Sequence, residues 1–92
     1  MEEKTIEFIS KRGNNYTVLM ETGRISLLDK WNNVIEHEIL FYDKRDKANI
    51  EDFIDNVVDG IGLDNEQEHD LVKFIYGWYP QNVRDKDKLN FF

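Results

Sequence analysis

Residues 34–61 read VIEHEILFYDKRDKANIEDFIDNVVDGI, and within them the hydrophobic period changes from two to about 3.6. From Val34 to about Asp43 the side chains alternate across a strand. Ile35, His37, Ile39 and Phe41 fall on one face, and Val34, Glu36, Glu38, Leu40 and Tyr42 on the other. From Ile50 the spacing becomes helical: Ile50, Phe53, Ile54, Val57, Val58 and Ile61 follow i, i+3, i+4, i+7, i+8 and i+11, one stripe of an α-helix. Asn49 stands where an N-cap belongs, and the acids after it suit the positive end of the helix dipole. Gly60 and Gly62 supply a stop.

Upstream of this stretch the period stays at two. Ile6 and Phe8 alternate within residues 4–11, and Gly13-Asn14-Asn15 brings turn chemistry. Tyr16, Val18 and Met20 mark a second strand that stops at Thr22-Gly23, and Ile25 and Leu27 begin a third that runs to about Lys30. Asn32-Asn33 reads as a tight turn, because Asn tolerates the left-handed conformation that a hairpin needs. Turns this short imply antiparallel neighbours, since parallel strands need a long crossover.

Downstream, Asp64 and Gln67 have the spacing of a capping box at the start of a second helix. Leu71, Phe74, Ile75 and Trp78 form its apolar stripe, which ends before Pro80, and Phe74, Trp78 and Tyr79 are expected in the core. The fold class implied is α+β: a four-stranded antiparallel β-meander followed by two α-helices packed on one face. Residues 1–80 form one domain, and 81–92 a charged C-terminal tail.

Ninety-two residues support one core, and twelve aromatic side chains argue that the chain folds. No cysteine is available for a disulfide, Met1-Glu2-Glu3-Lys4 has no apolar continuation, and no apolar run approaches the roughly 20 residues of a membrane span. The expectation is a cytoplasmic protein.

The formal net charge is −7, and its location is informative. Between Ala48 and Val72 stand eight acids, Glu51, Asp52, Asp55, Asp59, Asp64, Glu66, Glu68 and Asp70, with no Lys or Arg among them. The other eleven acids face twelve bases, so the whole excess comes from one segment. Such a distribution excludes a general nucleic-acid binder, which needs a basic footprint, and favours attraction to basic surfaces. Asp52, Asp55 and Asp59 recur at helical spacing opposite the apolar stripe, each step rising about 4.5–6 Å, a scale comparable with the phosphate repeat of a nucleic-acid strand. Two readings stand side by side. These acids are a solvated face that also satisfies two helix N-termini, or a row that enters a groove lined with Lys and Arg. Trp31, beside the Asn32-Asn33 turn, is either an interface anchor or local packing over the sheet edge. Lys44, Arg45 and Lys47 are too few for nucleic-acid binding.

Little in the chain carries catalysis. Ser10 and Ser26 are the only serines and neither sits in a nucleophile elbow. The five glycines are spread as turns and caps with no phosphate loop. His37 and His69 share no metal-ligand spacing, and the EF-hand pattern fails because Ile61 and Leu63 stand where ligands belong. His37 is expected to be half-buried on its strand face. No enzyme activity, metal or cofactor is expected.

The chain therefore reads as a small acidic protein-binding module, an inhibitor that engages the basic, nucleic-acid-binding surface of a partner protein as a monomer or weak homodimer. In size and charge it resembles small phage-encoded anti-defence proteins, including inhibitors of CRISPR nucleases. That resemblance covers no motif, and it implies DNA mimicry of a viral, anti-CRISPR kind. The alternative is an immunity protein or regulatory subunit that forms a stable protein–protein complex through aromatic anchors, without mimicry.

Overall fold

The computed structural model describes residues 3–79. The charged segment expected at 81–92 lies outside them. Four strands, β1 (Lys4–Ile9), β2 (Asn15–Glu21), β3 (Arg24–Leu28) and β4 (Val34–Ile39), are followed by α1 (Arg45–Ile61) and α2 (Asn65–Trp78). The sheet order is β1-β2-β3-β4 and every neighbouring pair is antiparallel, the meander expected from the short turns.

Register decides which face is covered. Ile6 pairs with Val18, Val18 with Leu27, and Leu27 with Glu36; Met20 pairs with Ile25, and Ile25 with Glu38. Directly opposed residues of an antiparallel sheet share a face, so these side chains all lie on the helix side. Val18, Met20, Ile25 and Leu27 are buried there against Ile50, Phe53, Ile54 and Val57 of α1 and Leu71 and Ile75 of α2. Phe53 is wholly enclosed, and truncating such a ring costs about 3–5 kcal/mol. Both helices thus pack over one face.

The same register sets the orientation of β4. Because Ile25 and Leu27 must face the helices, their partners Glu38 and Glu36 face them too and are half-buried at the sheet edge. Charges turned inward on an edge strand discourage another strand from adding there. The apolar set Ile35 and Ile39 looks the other way and stays exposed. His37 is exposed with them, not half-buried as its apolar neighbours suggested. The pairing slips at Leu27/Leu28, where Leu28 opposes Val34 and leaves Ile35 as an extra residue. This irregularity moves Val34 off the alternation, and both Val34 and Ile35 are about half exposed.

The connections correct three local expectations. The β3–β4 link is a loop organised by Asp29, whose Oδ1 accepts the backbone N–H of Trp31 and of Asn33 at 2.9 Å each. The Asn33 N–H, chiefly, holds the Asp29 carboxyl below its usual range. Asn32 at φ 65° supplies the left-handed residue. Helix α1 begins at Arg45 rather than at Asn49, because Asp43 Oδ1 takes the Arg45 N–H at 2.9 Å and starts the helix one turn earlier. Its stop is Gly62 alone, left-handed at φ 73° with its N–H on Val58 O, while Gly60 stays helical. For α2 the capping box is present as read: Gln67 N–H donates to Asp64 Oδ1 at 2.8 Å, and Asp64 N–H donates to Gln67 Oε1 at 3.1 Å. Trp78 is 48% exposed, with Lys4 Nζ 4.3 Å above its ring, and Tyr76 takes the core position expected of it. No helix among the described residues is long and apolar enough to cross a membrane.

Candidate functional site

Helix α1 turns by about 100° per residue, which gathers Glu51, Asp52, Asp55 and Asp59 within about a quarter of its circumference, away from the buried Ile50, Phe53, Ile54 and Val57. All four acids are exposed. The two flanks of that ridge meet different surroundings. On the α2 side, Glu51 and Asp55 join Glu68 around a cavity of about 220 Å³ whose wall is completed by Ile54, Val72 and Tyr76. Burial, and then the nearby Glu51 charge, push the Tyr76 phenol up to about 12; the groove offers the carboxylates of Glu51, Asp55 and Glu68 as acceptors. On the other flank Asp52 lies close enough to Glu38 for its charge to be felt. Desolvation first, then Asp52 and Glu36, raise the Glu38 carboxyl above its ordinary value.

The remaining predicted acids separate. Glu66 and Asp70 stand four residues apart on α2 and are exposed, rotated away from the groove that Glu68 enters. Asp59 lines a second cavity of about 230 Å³ with Lys11 and Arg12 of the β1–β2 turn, apart from the groove. Asp64 is engaged in the capping box. Trp31 is 70% exposed at the tip of the β3–β4 loop, with Lys30 Nζ 4.5 Å above its ring. It borders a cavity with Asn15, Tyr16 and Ile35 and does not join the acidic groove.

Like charges gathered in this way repel one another. Arg24–Glu21 and Arg45–Asp43, the ion pairs among the described residues, involve none of the groove acids. The described residues hold no group of three or more His, Asp or Glu side chains placed to share a metal ion. The arrangement is suited to accepting hydrogen bonds and charge from a basic surface.

One acid escaped the sequence reading. Asp46 is fully buried, accepts the N–H of Phe41 and of Tyr42 at 2.8 Å each, and accepts the Tyr79 O–H at 2.5 Å. Its signal was faint: a carboxylate one helical turn before Ile50 lies on the same stripe as that apolar series. Asp46 is a structural acid and stands outside the candidate surface. Comparison with protein-family models, with curated proteins and with solved structures finds no match to this chain.

Proposed function

We propose that this protein is a small acidic binding module that inhibits a nucleic-acid-binding partner by occupying its basic surface. The observation that carries the reading is the convergence of Glu51 and Asp55 of α1 with Glu68 of α2 on one groove, beside the exposed Asp52 on the same ridge. Carboxylates from both helices with no Lys or Arg among the described residues lining the groove repel one another, and a partner's cations relieve that repulsion on binding. Lys or Arg side chains inserted between α1 and α2 would meet carboxylates from both walls, as they would meet phosphates from both sides of a nucleic-acid groove. Mimicry of nucleic acid by a viral, anti-defence protein is the sharp form of this proposal. The immunity-protein alternative rests on Trp31, whose exposure suits an aromatic anchor.

The test is capture of partners from a lysate of the source cells with tagged protein at low and high salt, beside the variant Glu51→Gln/Asp55→Asn/Glu68→Gln. A nucleic-acid-binding protein should be retained at low salt, released by high salt or by added duplex DNA, and missed by the variant, because exposed charge contacts weaken as the Debye length shortens. Equal capture by the variant, or retention through high salt, overturns the reading in favour of an aromatic-anchored complex.

A further inference from the structure

A recess of about 590 Å³ opens where the turn-side ends of β1 and β2 meet the β3–β4 loop. A second, of about 310 Å³, adjoins it, and the two share Asn15, Tyr16, Asp29 and Lys30. Volumes of this order are those of small-molecule sites, roughly 300–1,000 Å³. Local chemistry builds both walls. In the β3–β4 loop Asp29 accepts the N–H of Trp31 and of Asn33 at 2.9 Å each and the Asn33 side-chain amide at 3.2 Å. Its carbonyl takes the Asn32 N–H at 3.0 Å. A loop tied at so many points fixes the backbone from which Trp31, 70% exposed, projects, so little ordering is left to a ligand. In the β1–β2 turn Ser10 Oγ accepts the Asn14 N–H at 3.3 Å, and Asn15 starts β2 opposite Ile9.

The lining selects the class of ligand. The polar side chains of the larger recess are Glu7, Asn15, Thr17, Asp29, Lys30 and Asn32. An apolar ligand would leave these groups without partners, at a cost for each. An anion needs an excess of cationic donors, and Lys30 is the one base among the described lining residues, against the acids Glu7 and Asp29. A metal ion needs converging ligands, and the described residues hold no group of three or more placed to share one. A neutral molecule that both donates and accepts hydrogen bonds fits best. The amides of Asn15 and Asn32 and the Thr17 hydroxyl do both, as sugar hydroxyls do. The Asp29 carboxylate is already taken by its own loop, so the Glu7 acceptor and the Lys30 donor complete a nearly neutral rim.

Trp31 supplies the other half of the recognition. Lys30 Nζ sits 4.5 Å over its ring, and at 70% exposure most of the indole stays open to solvent. A pyranose ring presents C–H groups on one face, which pack on an aromatic surface, and hydroxyls around its edge. We infer that this cleft binds a neutral sugar, a pyranose ring stacking on Trp31 while hydroxyls bond Asn15, Thr17 and Asn32 in the adjoining recess. A nucleotide would stack on Trp31 equally well, but its phosphate would approach Glu7 with Lys30 alone to offset the repulsion. The cleft shares no lining residue with the acidic groove, so the inference stands or falls independently of the proposed function.

The site is open and its contacts few, so a dissociation constant of about 1 mM is expected. Heteronuclear NMR titration of the full chain with glucose, galactose, mannose, N-acetylglucosamine, lactose, maltose and cellobiose, each to about 20 mM to span that value, tests it. At least one of these sugars should saturably shift the Trp31 indole and the Asn15 and Asn32 side-chain amides, leaving the Trp78 indole unmoved. Trp31→Ala and Asn32→Gly, the second compatible with the left-handed backbone at φ 65°, should each weaken that binding about tenfold or more with unchanged circular dichroism. No saturable shift with any of the sugars overturns the inference. Shifts produced only by adenosine monophosphate or inorganic phosphate overturn it too and assign the cleft to an anion. Sugar binding that both variants retain overturns it equally, because the sugar would then sit on another surface.

Discussion

Asp46 and Tyr79 meet across 33 positions of sequence, the Tyr79 O–H donating to Asp46 Oδ2 at 2.5 Å. The same carboxylate takes the Phe41 and Tyr42 N–H groups. One side chain therefore joins the end of β4, the first turn of α1 and the residue that closes α2. Tyr42, whose ring lies 6.0 Å from that of Tyr79, also uses its hydroxyl to accept the Gly23 N–H at 2.6 Å. Both helices are held to the β2–β3 turn through this cluster.

Replacing Asp46 with Ala should lower unfolding stability by about 3 kcal/mol, since one buried and two part-buried donors would lose their acceptor. Asp46→Asn keeps one acceptor oxygen and should lose less. Urea denaturation followed by near-ultraviolet circular dichroism reads both, and an Ala variant with the wild-type midpoint would refute the role.

Asp64 was a candidate for partner contact and is a helix cap, two roles that substitution separates. Asp64→Ala should destabilise by about 1 kcal/mol, whereas Asp64→Asn, an equally good cap, should be close to neutral. Thermal unfolding of the pair checks the cap. Any loss of partner binding by the Asn variant then reports the charge alone.

Glu38 makes stability depend on pH in a direction opposite to most carboxylates. Its folded carboxyl holds the proton above the 4.5 of the unfolded chain, chiefly through desolvation. Above the raised value Glu38 is ionised in both states and the full penalty of its half-buried charge is present. As pH falls through that value toward 4.5, the folded state takes up the proton first and the penalty disappears. Glu38→Gln should therefore be more stable than the wild type at pH 7, with the difference closing as the pH approaches 4.5. Denaturation midpoints across that range test this, and a variant less stable than the wild type at neutral pH would contradict it.

The groove acids should show stability and binding moving in opposite directions. Glu51→Gln/Asp55→Asn/Glu68→Gln removes mutual repulsion, worth a few tenths of a kcal/mol per pair on a helix, and should raise the melting temperature slightly. The same variant should lose salt-sensitive partner capture. If instead the variant melts lower, these carboxylates support the fold and are not a strained surface kept for binding.

Period and turn residues were enough to read four antiparallel strands, two helices, and the Asp64–Gln67 cap, because each depends on residues within about one helical turn or one hairpin of each other. The acidic stretch was equally legible, and its exposure on α1 follows from helical spacing alone. The division of its work was not. Glu68 faces Glu51 and Asp55 only because α2 lies beside α1, and Asp59 faces Lys11 and Arg12 only because the β1–β2 turn reaches the end of α1.

The covered face of the sheet was the larger omission. In β4 both faces are plausible by pattern, since Ile35 and Ile39 look more like core than Glu36 and Glu38. Pairing with β3 settles the choice, because Ile25 and Leu27 have far more apolar surface to bury, and antiparallel partners must share their side. Local spacing in this chain determines its elements, their order and the siting of its charge. Tertiary packing alone decided which sheet face the helices took, that Asp46 is interior, and that Ile9, Ile35 and Ile39 stay exposed on the opposite face. Hydrophobic burial is won by the strand pairs with most to hide, and a single residue's alternation cannot report what its neighbours across the sheet contribute.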